Sequence, residues 1–559
     1  MSWYYTAIEI ICWIYLFLML RHGIYRGRYL LHMFQQNGYK LNEFSKWLLD
    51  HWNTILIPVP HLAMILVTIT GYHYLEHVLT ETAITVILII FAMFWFGDIS
   101  RYGHEKIKKP LVYTARMLRL ILVFLFLSAW IPVSGSAYAF HSGILIPDIY
   151  ILIFVWVFTD MILPYLLLLA AAIIYPAEKL IQYRFKVQAR NKLKSMPELK
   201  VVAITGSYGK TSTKFITQAI LSERYRVCAT PGSYNTPMGI CKVINNDLQP
   251  TDQVLILEMG ARYRGNIDEL CRIATPDIAV ITNVGVAHLE SFGSVEAIAQ
   301  TKGALVRHLK PGGFAVLNGD DPEVRKMNNR DDISVLFAGL SEEENHIFGK
   351  NISYDDQGCA FEMQVKDEVP AGGGTFVMMK EEEQIRMPLL GQHNVRNALL
   401  AASAGLIMKL RLPTIKVALR KVEPVEHRLE LKKKDGIVVI DDAFNSNPVG
   451  ARNAISVLSS FKAGRKFVIT PGMIELGDRQ VTENRDFGIW MARHRPDHVF
   501  LVGKQQTKPV YEGLREGGYD DGRITVVNSL FEANEKISEY LREGDVVLYE
   551  NDLPDNYSE

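Results

Sequence analysis

The sequence predicts an α-helical transmembrane block followed by α/β domains built on parallel sheets. Two observations support this prediction. Long apolar runs are confined to the first 195 residues, and from about residue 198 onward short apolar runs alternate with amphipathic helical ones. Alternation of that kind is typical of parallel sheets covered by helices. The length of 559 residues allows roughly three or four structural units.

Five apolar runs are candidates for membrane spans. They show no polar face, unlike helices at the surface of a soluble domain, and a run of about twenty residues can cross a bilayer. The runs are 3–20, 54–73, 83–97, 118–133 and 149–175. A cleaved signal peptide does not explain the first run, because its start is not basic and further runs follow it. A set of buried core helices remains the alternative.

The charges of the connecting loops predict the orientation of this block. Lys and Arg are concentrated in residues 21–53 and 98–117, whereas residues 75–81 and 134–148 contain neither. Because basic loops stay in the cytoplasm, we expect a multi-pass protein of the cytoplasmic membrane, with its N-terminus outside and its C-terminal domains inside. The basic stretch 179–194 predicts a helix lying against anionic headgroups.

The soluble part divides into two predicted α/β domains, 196–412 and 413–559, after a membrane domain of 1–195. Pro413 and Pro424 interrupt a helical pattern before a new series of strands begins. A stretch near 340–385, rich in Gly, Glu and Lys, predicts a small antiparallel excursion. The strand-like runs are 200–205, 253–258, 278–282, 314–317, 437–441, 466–470, 498–502 and 545–549.

The bulk composition excludes several classes of protein. The net charge is zero and the basic residues form no stripe, so we expect no nucleic-acid partner. The five cysteines are scattered without a CxxC pair, which argues against a zinc ribbon or a disulfide framework and indicates a reducing compartment.

A phosphate-binding loop follows the first strand of the soluble part, in Thr205-Gly-Ser-Tyr-Gly-Lys-Thr-Ser. The glycines let backbone N–H groups turn inward, and the helix that follows directs its positive end at the same point. Lys210 would reach the terminal phosphates and Thr211 would ligate Mg²⁺. The spacing is shorter than GxxxxGK[ST], because position 204 is Ile204. The predicted nucleotide contacts are Gly206, Ser207, Gly209, Lys210, Thr211 and Ser212.

Three further residues are candidates for a metal site beside this loop. Glu258 ends a buried strand, where ligands of parallel sheets bind, although an ion-paired acid could occupy the same place. His288 follows the next strand and could complete a metal shell, or it could be a hydrogen-bonded core histidine. Lys302 lies on a helix that begins near Ser294, and from pattern alone such a lysine is usually solvated.

Polar residues also follow a strand of the last domain. Asp441 lies at its carboxyl end, and Asn445 and Asn447 come directly afterwards. Their side chains could bind a base or ribose, or they could form an Asx turn before Pro448. Arg428, before that strand, could reach a phosphate, although exposed arginines are common.

The order of these motifs resembles the Mur ligase family, the ATP-dependent amino-acid and peptide ligases of cell-wall synthesis. The MurF type, which adds D-alanyl-D-alanine to the UDP-muramoyl tripeptide, is the most similar. The likeness covers about 198–550. The motifs that carry it are Thr205-Gly-Ser-Tyr-Gly-Lys-Thr-Ser, Glu258-Met-Gly, Thr282-Asn-Val-Gly-Val-Ala-His-Leu-Glu, Gly391-Gln-His-Asn-Val-Arg-Asn-Ala, His427-Arg-Leu-Glu and Asp441-Asp-Ala-Phe-Asn-Ser-Asn-Pro.

The resemblance implies a role for each matching residue. Lys210 and Thr211 would hold ATP phosphates and Mg²⁺, with Glu258 and His288 binding the metals. Lys302 would become a carbamate that helps to hold a metal. The remaining roles belong to the nucleotide cleft. Asn394 and Asn397 would approach the adenine, Arg428 the γ-phosphate, and Asp441, Asn445 and Asn447 would line the cleft between the two domains.

The resemblance implies a C–N ligase that acts through an acyl phosphate with ATP and Mg²⁺. The membrane block stands where the family has a UDP-binding domain, so we expect a carboxylate or amine substrate that is lipid-linked or polymeric. Spans that only anchor the enzyme are the simpler alternative. A transporter or ATP switch and an inactive ligase fold also stay open. The spans offer a transporter few charged residues, Asp160 being the main exception.

Overall fold

The computed structural model describes most of the chain, in two compact units, Met1–Gln182 and Tyr183–Glu559. The described residues are 2–75, 81–103, 110–142, 145–232, 234–285, 292–366, 368–371, 374–377, 380–424, 427–443, 448–474 and 476–551. The boundary between the units falls inside a helix, whereas the sequence predicts a boundary at 195.

Every secondary-structure element among the described residues of the first unit is a helix. A π-helical turn, Trp52–Leu56, precedes the third helix. The helices are α1 (Ser2–Gln36), α2 (Leu41–Asp50), α3 (Val59–Leu75), α4 (Glu81–Gly103), α5 (Ala115–Ser142) and α6 (Leu145–Lys194). Helix α6 continues through the basic stretch for which the sequence predicts a separate interfacial helix.

Three of the five predicted spans correspond to segments long and apolar enough to cross a membrane. Among the described residues these are Trp52–Thr70, Ala115–Gly135 and Ile153–Lys194. The run 83–97 corresponds to a shorter apolar segment, Ile89–Asp98. The run 3–20 includes side chains outside the described set, so both of these spans stay predictions, as does membrane crossing itself.

One part of the loop argument is wrong. Residues 21–36, predicted as the start of a cytoplasmic loop, continue helix α1. Arg26 is completely buried there. Its charge therefore belongs to the interior of the unit and does not contribute to a basic loop.

Arg26 is part of a buried polar cluster that joins four helices of the first unit. Its guanidinium lies 2.6 Å from Asp160 Oδ2, an oxygen that is also 2.6 Å from Nε2 of His61. His22 bridges two acids, with Nδ1 at 3.3 Å from Asp160 and Nε2 at 2.9 Å from Asp98. Asp160, the main charged residue of the predicted spans, is thus one member of a network with an arginine, two histidines and a second aspartate.

The same arginine satisfies backbone carbonyls at two helix irregularities. Arg26 donates to the carbonyl oxygen of Asp160 and, at 2.7 Å, to that of Ile55. The Asp160 carbonyl lacks its helical donor because residue 164 is a proline, which has no N–H. Ile55 lies in the π-helical turn before α3. Each freed carbonyl would be costly to bury without a donor.

The second unit contains two sheets and a hairpin among its described residues. The larger sheet has nine strands in the order β11-β8-β7-β6-β5-β4-β1-β3-β2. Strands β1 to β7 pair in parallel. Strand β8 pairs antiparallel with β7, and β11 pairs antiparallel with β8. The strands are β1 (Lys200–Thr205), β2 (Val227–Ala229), β3 (Val254–Glu258), β4 (Ile278–Ile281), β5 (Phe314–Asn318), β6 (Ser334–Gly339), β7 (Ile347–Asp355), β8 (Gly358–Val365), β9 (Glu368–Ala371), β10 (Gly374–Val377) and β11 (Glu381–Met387).

Helices cover both faces of the nine-stranded sheet. Val202 and Ile204 of β1 lie in the core on one face, and Val201 and Ala203 in the core on the other. A strand buried on both faces reads as an unbroken apolar run, as β1 does. The helices are α7 (Lys210–Ser222), α8 (Pro237–Lys242), α9 (Asn266–Ile273), α10 (Val295–Arg307), α11 (Pro322–Arg325), α12 (Gln392–Ile407) and α13 (Leu412–Arg420).

The smaller sheet has six described strands, in the order β12-β13-β17-β14-β15-β16. Only β12 pairs antiparallel among them. The strands are β12 (Glu430–Lys434), β13 (Ile437–Asp442), β14 (Lys466–Thr470), β15 (His498–Val502), β16 (Ile524–Val527) and β17 (Val546–Glu550). The helices that accompany them are α14 (Pro448–Ser460), α15 (Gln480–His494), α16 (Lys508–Glu516) and α17 (Leu530–Tyr540).

All eight strands predicted for the soluble part are present, with ends that differ by at most one residue. The antiparallel excursion predicted near 340–385 is confirmed by β8 and β11 and by the β9–β10 hairpin. The domain boundary predicted at 412 and 413 coincides with the start of α13 and stays a prediction. Short strands such as β2 were missed, because three residues carry too little periodicity to be recognised.

Candidate active site

The loop between β1 and α7 has a conformation that only glycine accepts at two positions. Gly206 has φ +157° and Gly209 has φ +78°. A Cβ at Gly206 would lie 1.8 Å from Thr282 Oγ1, and one at Gly209 would lie 2.6 Å from Asn397 Oδ1. Gly209 is the N-cap of α7, so the positive end of that helix opens onto the loop.

The segment after β4 holds this loop in place. Asn283 Oδ1 accepts from the Tyr208 N–H at 2.8 Å, and Thr282 Oγ1 donates to the Tyr208 carbonyl at 2.6 Å. The Ser207 hydroxyl donates to the Gly285 carbonyl at 3.1 Å and accepts from the Gly285 N–H at 2.8 Å. Neighbouring strands of the sheet therefore fix the loop before any ligand binds.

Lys210 folds back over the loop. Its ammonium donates to the carbonyl oxygens of Gly206 at 2.9 Å and Ser207 at 3.1 Å. Burial lowers the pKa of Lys210, the carboxylate of Glu258 raises it, and the charge of Arg428 lowers it. The predicted phosphate ligand is thus close enough to both residues to feel their charges.

Glu258 lies beside the start of the loop, because it pairs in register with Ile204 of β1. Its side chain is buried at 1% exposure. Oε1 accepts a hydrogen bond from Asn235 Nδ2 at 3.1 Å, whereas Oε2 has no hydrogen-bond partner among the described residues. The ammonium of Lys214 lies 3.6 Å from Oε2. A buried carboxylate oxygen without a donor could hold a hard cation such as Mg²⁺.

Lys302 is buried on α10, in contrast to the solvated position that its pattern alone favours. Burial and then the charge of Lys210 lower the pKa of Lys302 to about 7. At neutral pH a large fraction of this amine is therefore uncharged, and an uncharged amine is the nucleophilic form. The electrostatic coupling places Lys302 within range of the loop lysine.

Asn394 and Asn397 are both buried on α12. Asn394 Nδ2 donates to the Leu390 carbonyl at 2.8 Å, and Asn397 Nδ2 donates to Asn394 Oδ1 at 3.2 Å. Asn394 also lines a small cavity together with Ser212 and Arg428. The other residues around this cavity are Phe215, Ile216, Leu389, Val422 and Glu423. The lining is thus half apolar and half polar, with a hydroxyl, an amide, a carboxylate and a guanidinium.

Arg428 lies at the tip of a strained turn that precedes the smaller sheet. The residues on either side both have positive φ, +58° at His427 and +47° at Leu429. Each is bound to the end of β13. His427 Nδ1 is 2.9 Å from Asp441 Oδ2, and the Leu429 N–H donates to Asp442 Oδ1 at 3.1 Å. Non-glycine residues hold such conformations only where surrounding contacts enforce them.

Asp441 supports this turn in the described structure. His427, Glu430 and Asp441 lie close enough together to suggest a metal site. However, the Lys432 ammonium is 2.7 Å from Asp441 Oδ2 and 2.9 Å from Glu430 Oε2, and so already supplies a cation to both carboxylates. Burial would raise the pKa of Asp441, but hydrogen bonds from Lys432 and His427 outweigh it and lower the pKa. Burial raises the pKa of the adjacent Asp442 to about 7.

Several predicted positions lie outside the described residues, namely His288, Asn445 and Asn447. Thr211 is described and half-buried at the start of α7. The sequence did not indicate Lys214 or Asn235, the two side chains that flank the carboxylate of Glu258. The only available signal was the spacing of Lys214, four residues after Lys210 and so on the same helix face.

Two family models match the second unit. The Mur ligase middle domain matches residues 204–405, and the Mur ligase glutamate ligase domain matches residues 427–549. The UDP-N-acetylmuramoyl-tripeptide–D-alanyl-D-alanine ligase of Bacillus subtilis is 30% identical over 353 residues, which are 63% of this chain and 72% of the relative. The chain belongs to the Mur ligase family. The corresponding ligase of Mycobacterium tuberculosis is 33% identical over 370 residues, 63% of this chain and 70% of its own.

Solved Mur ligase structures have the same fold. The MurF ligase of Thermotoga maritima in complex with ADP is 27% identical, with a TM-score of 0.56 over 66% of this chain and 80% of that one. MurF from Acinetobacter baumannii is 26% identical, with a TM-score of 0.55 over 66% of this chain and 77% of that one. The protein is thus an ATP-dependent C–N ligase of the Mur family that uses ATP with Mg²⁺. Its N-terminal helical unit is additional to the ligase domains.

Proposed function

We propose that this Mur ligase joins an amino acid or dipeptide to the carboxyl group of a peptidoglycan precursor, in the manner of the MurF type. The observation that carries the proposal is the cavity on which Ser212, Asn394 and Arg428 converge. It brings together Ser212, which follows the loop lysine by two residues, a buried amide and an arginine that precedes the second sheet. The relatives named as UDP-N-acetylmuramoyl-tripeptide–D-alanyl-D-alanine ligases supply the substrate class.

The proposed phosphate site consists of the loop N–H groups and two cations. Lys210 gives up its contacts with the Gly206 and Ser207 carbonyls and turns to the phosphate oxygens. Arg428 approaches the γ-phosphate from its strained turn. Both cations act on charge that gathers in the transition state, where fixed donors are most effective. Asn394 and Asn397 approach the adenine.

Mg²⁺ fits the residues present. Glu258 offers a buried carboxylate oxygen without a hydrogen-bond donor, and the Thr211 hydroxyl follows the loop lysine. Lys302, as a carbamate, and His288 are the further proposed ligands. When bound, Mg²⁺ neutralises phosphate charge during both steps. The free amine of Lys302, with its pKa lowered to about 7, can add to the carbon of CO₂ at neutral pH and release a proton to solvent, which leaves the carbamate.

The proposed reaction proceeds through an acyl phosphate. A carboxylate oxygen of the donor attacks the γ-phosphorus of ATP, and the bond to the ADP oxygen breaks. The amine of the second substrate then attacks the acyl carbon, loses a proton, and inorganic phosphate leaves from the tetrahedral intermediate. Lys210 and Arg428 stay on the transferred phosphate throughout, because its charge persists in both steps.

We further propose that the reaction takes place at the cytoplasmic face of the membrane. The support is the first unit, with its three long apolar segments, and the basic loops of the sequence. A membrane-borne donor would reach a high effective concentration at a tethered enzyme. We therefore propose a lipid-linked or polymeric substrate, with simple anchoring as the competing explanation.

The test uses the full-length protein in lipid nanodiscs with ATP and Mg²⁺. Soluble UDP-muramoyl tripeptide is compared with its lipid-linked counterpart, each with D-alanyl-D-alanine and a panel of amines, and products are identified by mass. We expect a ligated product and ADP only when donor and amine are both present, with faster turnover of the lipid-linked donor. Equal turnover of the two donors would favour simple anchoring.

The Lys210→Ala variant is the control for this experiment. It should form no product, because the phosphates lose their main cation. ADP release in the absence of both substrates would instead indicate an ATP-driven switch, and a variant as active as the wild type would refute the assignment of the phosphate loop.

A further inference from the structure

Lys214 is a buried cation beside the proposed metal site. It lies one helical turn after Lys210 on α7 and is completely inaccessible to solvent. Its ammonium donates to the carbonyl oxygen of Gly232 and lies 3.6 Å from Glu258 Oε2. Lysine is almost never fully buried unless it is paired, so this pairing requires an explanation.

Lys214 and Asn235 hold the Glu258 carboxylate from two sides. Asn235 Nδ2 donates to Oε1 at 3.1 Å, and Lys214 approaches Oε2 without making a hydrogen bond of normal length. Asn235 is itself fixed, because its carbonyl accepts from the Gly260 N–H at 3.0 Å and a Cβ at Gly260 would lie 2.7 Å from Asn235 Cγ. The carboxylate plane is therefore set, and one oxygen keeps its lone pairs available.

Three cations interact electrostatically with Glu258, namely Lys210, Lys214 and Arg428. Lys210 and Arg428 are the two that the proposed reaction assigns to phosphate. Lys214 is not available for that purpose, since it is fully buried, whereas Lys210 is partly exposed. It is the cation that stays with Glu258 when nucleotide binds.

We propose that Lys214 is a positioning residue that fixes the carboxylate of Glu258 for Mg²⁺. This inference rests on the proposed role of Glu258 as a metal ligand. It predicts the direction in which the loss of Lys214 changes the affinity for a metal ion. If Lys214 acted only through its charge, its removal would strengthen cation binding, because a neighbouring positive charge repels a metal ion. If it fixes the carboxylate, its removal weakens cation binding.

The experiment measures Mn²⁺ binding to the full-length protein with ADP present, from the electron paramagnetic resonance signal of free Mn²⁺. We expect Lys214→Met to raise the Kd for Mn²⁺ at least five-fold while the metal-free affinity for ADP stays unchanged. Lys416→Met is the matched control. It breaks another lysine–glutamate contact of this unit, 2.7 Å to Glu383, and should leave the Kd unchanged. An unchanged or lower Kd in Lys214→Met would overturn the proposal.

Two further variants keep the test decisive. Glu258→Gln alone should abolish tight Mn²⁺ binding; if it does not, the role of Glu258 as a ligand is wrong, which is a separate failure. In the Glu258→Gln background, Lys214→Met should have no further effect on Mn²⁺ binding. If Lys214→Met alone does not fold, the double variant should recover a cooperative thermal transition, since removing both charges leaves neither buried alone. Failure to recover would contradict the pairing.

Discussion

At the scale of single residues, we expect the lowered pKa of Lys302 to make the stability of the protein depend on pH. Its pKa in the folded protein is lowered to about 7 by burial and by Lys210, whereas an unfolded lysine titrates near 10.4. Between these values the unfolded state binds more protons than the folded state, so this residue makes stability rise with pH. Below about 7 both states are protonated, and the full cost of burying the ammonium is present.

We predict that Lys302→Met stabilises the ligand-free protein at pH 6.5 and that its advantage shrinks towards pH 9.5. The difference changes by at most about 1.4 kcal/mol per pH unit above pH 7. Thermal unfolding in buffer stripped of CO₂ measures it, since the amine is then free. Lys326→Met, at an exposed lysine, is the control and should show no such trend. A variant less stable than the wild type at pH 6.5 would contradict this account.

At the scale of structural elements, the phosphate loop depends on its second glycine for two separate reasons. Gly209 has φ +78°, and a Cβ there would collide with Asn397 Oδ1. An alanine in this region costs about 1 kcal/mol from backbone strain alone. The collision adds to that cost and displaces the start of α7, whose N–H groups are proposed to bind phosphate.

We predict that Gly209→Ala weakens ADP binding at least ten-fold, as measured by titration calorimetry. Gly312→Ala is the control that distinguishes the effect of backbone strain from the effect of the collision. Gly312 has φ +73°, but nothing lies within 4 Å of its Cβ position, so this variant should lose a little stability and keep its ADP affinity. Equal effects of the two substitutions on ADP affinity would mean that the collision with Asn397 is unimportant.

Arg26 stabilises two helix irregularities in the first unit. Removing it leaves the Asp160 carboxylate buried beside two histidines, and two backbone carbonyls lose a donor. Loss of one partner of a buried ion pair typically costs about 3–5 kcal/mol. We predict that Arg26→Met lowers the unfolding temperature of the full-length protein in detergent.

Arg21→Met is the matched control for this substitution, because Arg21 lies on the same helix and its guanidinium packs over the Tyr25 ring. It should unfold within a degree or two of the wild type. If both variants behaved alike, the buried network would not contribute to the stability of this unit.

At the scale of the whole ligase unit, residues associated with both sheets contribute to one site. The cavity residues Ser212 and Asn394 lie on helices that cover the nine-stranded sheet. Arg428 lies between two residues, His427 and Leu429, that are bound to the end of β13 in the six-stranded sheet. Because Arg428 is proposed to contact the γ-phosphate, which ADP lacks, the two sheets are expected to cooperate in turnover more than in ADP binding.

We predict that Arg428→Ala lowers turnover by about 10²-fold or more, as is typical when a transition-state donor is lost. Its affinity for ADP should change less than three-fold, as measured by calorimetry, while ligation is followed by ADP release. Arg452→Ala, which removes a partly exposed contact with Glu483, should retain full activity. A loss of ADP affinity equal to the loss of turnover would place Arg428 on another part of the nucleotide.

Much of this unit could be predicted from the sequence. Its strands are buried on both faces and so form unbroken apolar runs, and its loop glycines stand where a side chain would collide. β1 and the loop after it were both recognised in this way. Lys214 could not be predicted, since a helical lysine is usually solvated and only the tertiary fold brings Glu258 to it. The environment of Arg26 could not be predicted for the same reason. The sequence does not distinguish an arginine in a loop next to an apolar run from an arginine buried in a helical core.

The buried network of the first unit constrains how such a unit can change over generations. Arg26 serves the carboxylate of Asp160 and the carbonyl that Pro164 leaves without a donor. Substituting Asp160 alone leaves the Arg26 charge without its carboxylate, and substituting Arg26 alone leaves both that carboxylate and the freed carbonyl without a donor in an apolar interior. Neutral drift at these two positions is therefore blocked one step at a time. Related chains should keep the arginine and the aspartate together or lose them together, and a proline at 164 should occur only where the arginine is present.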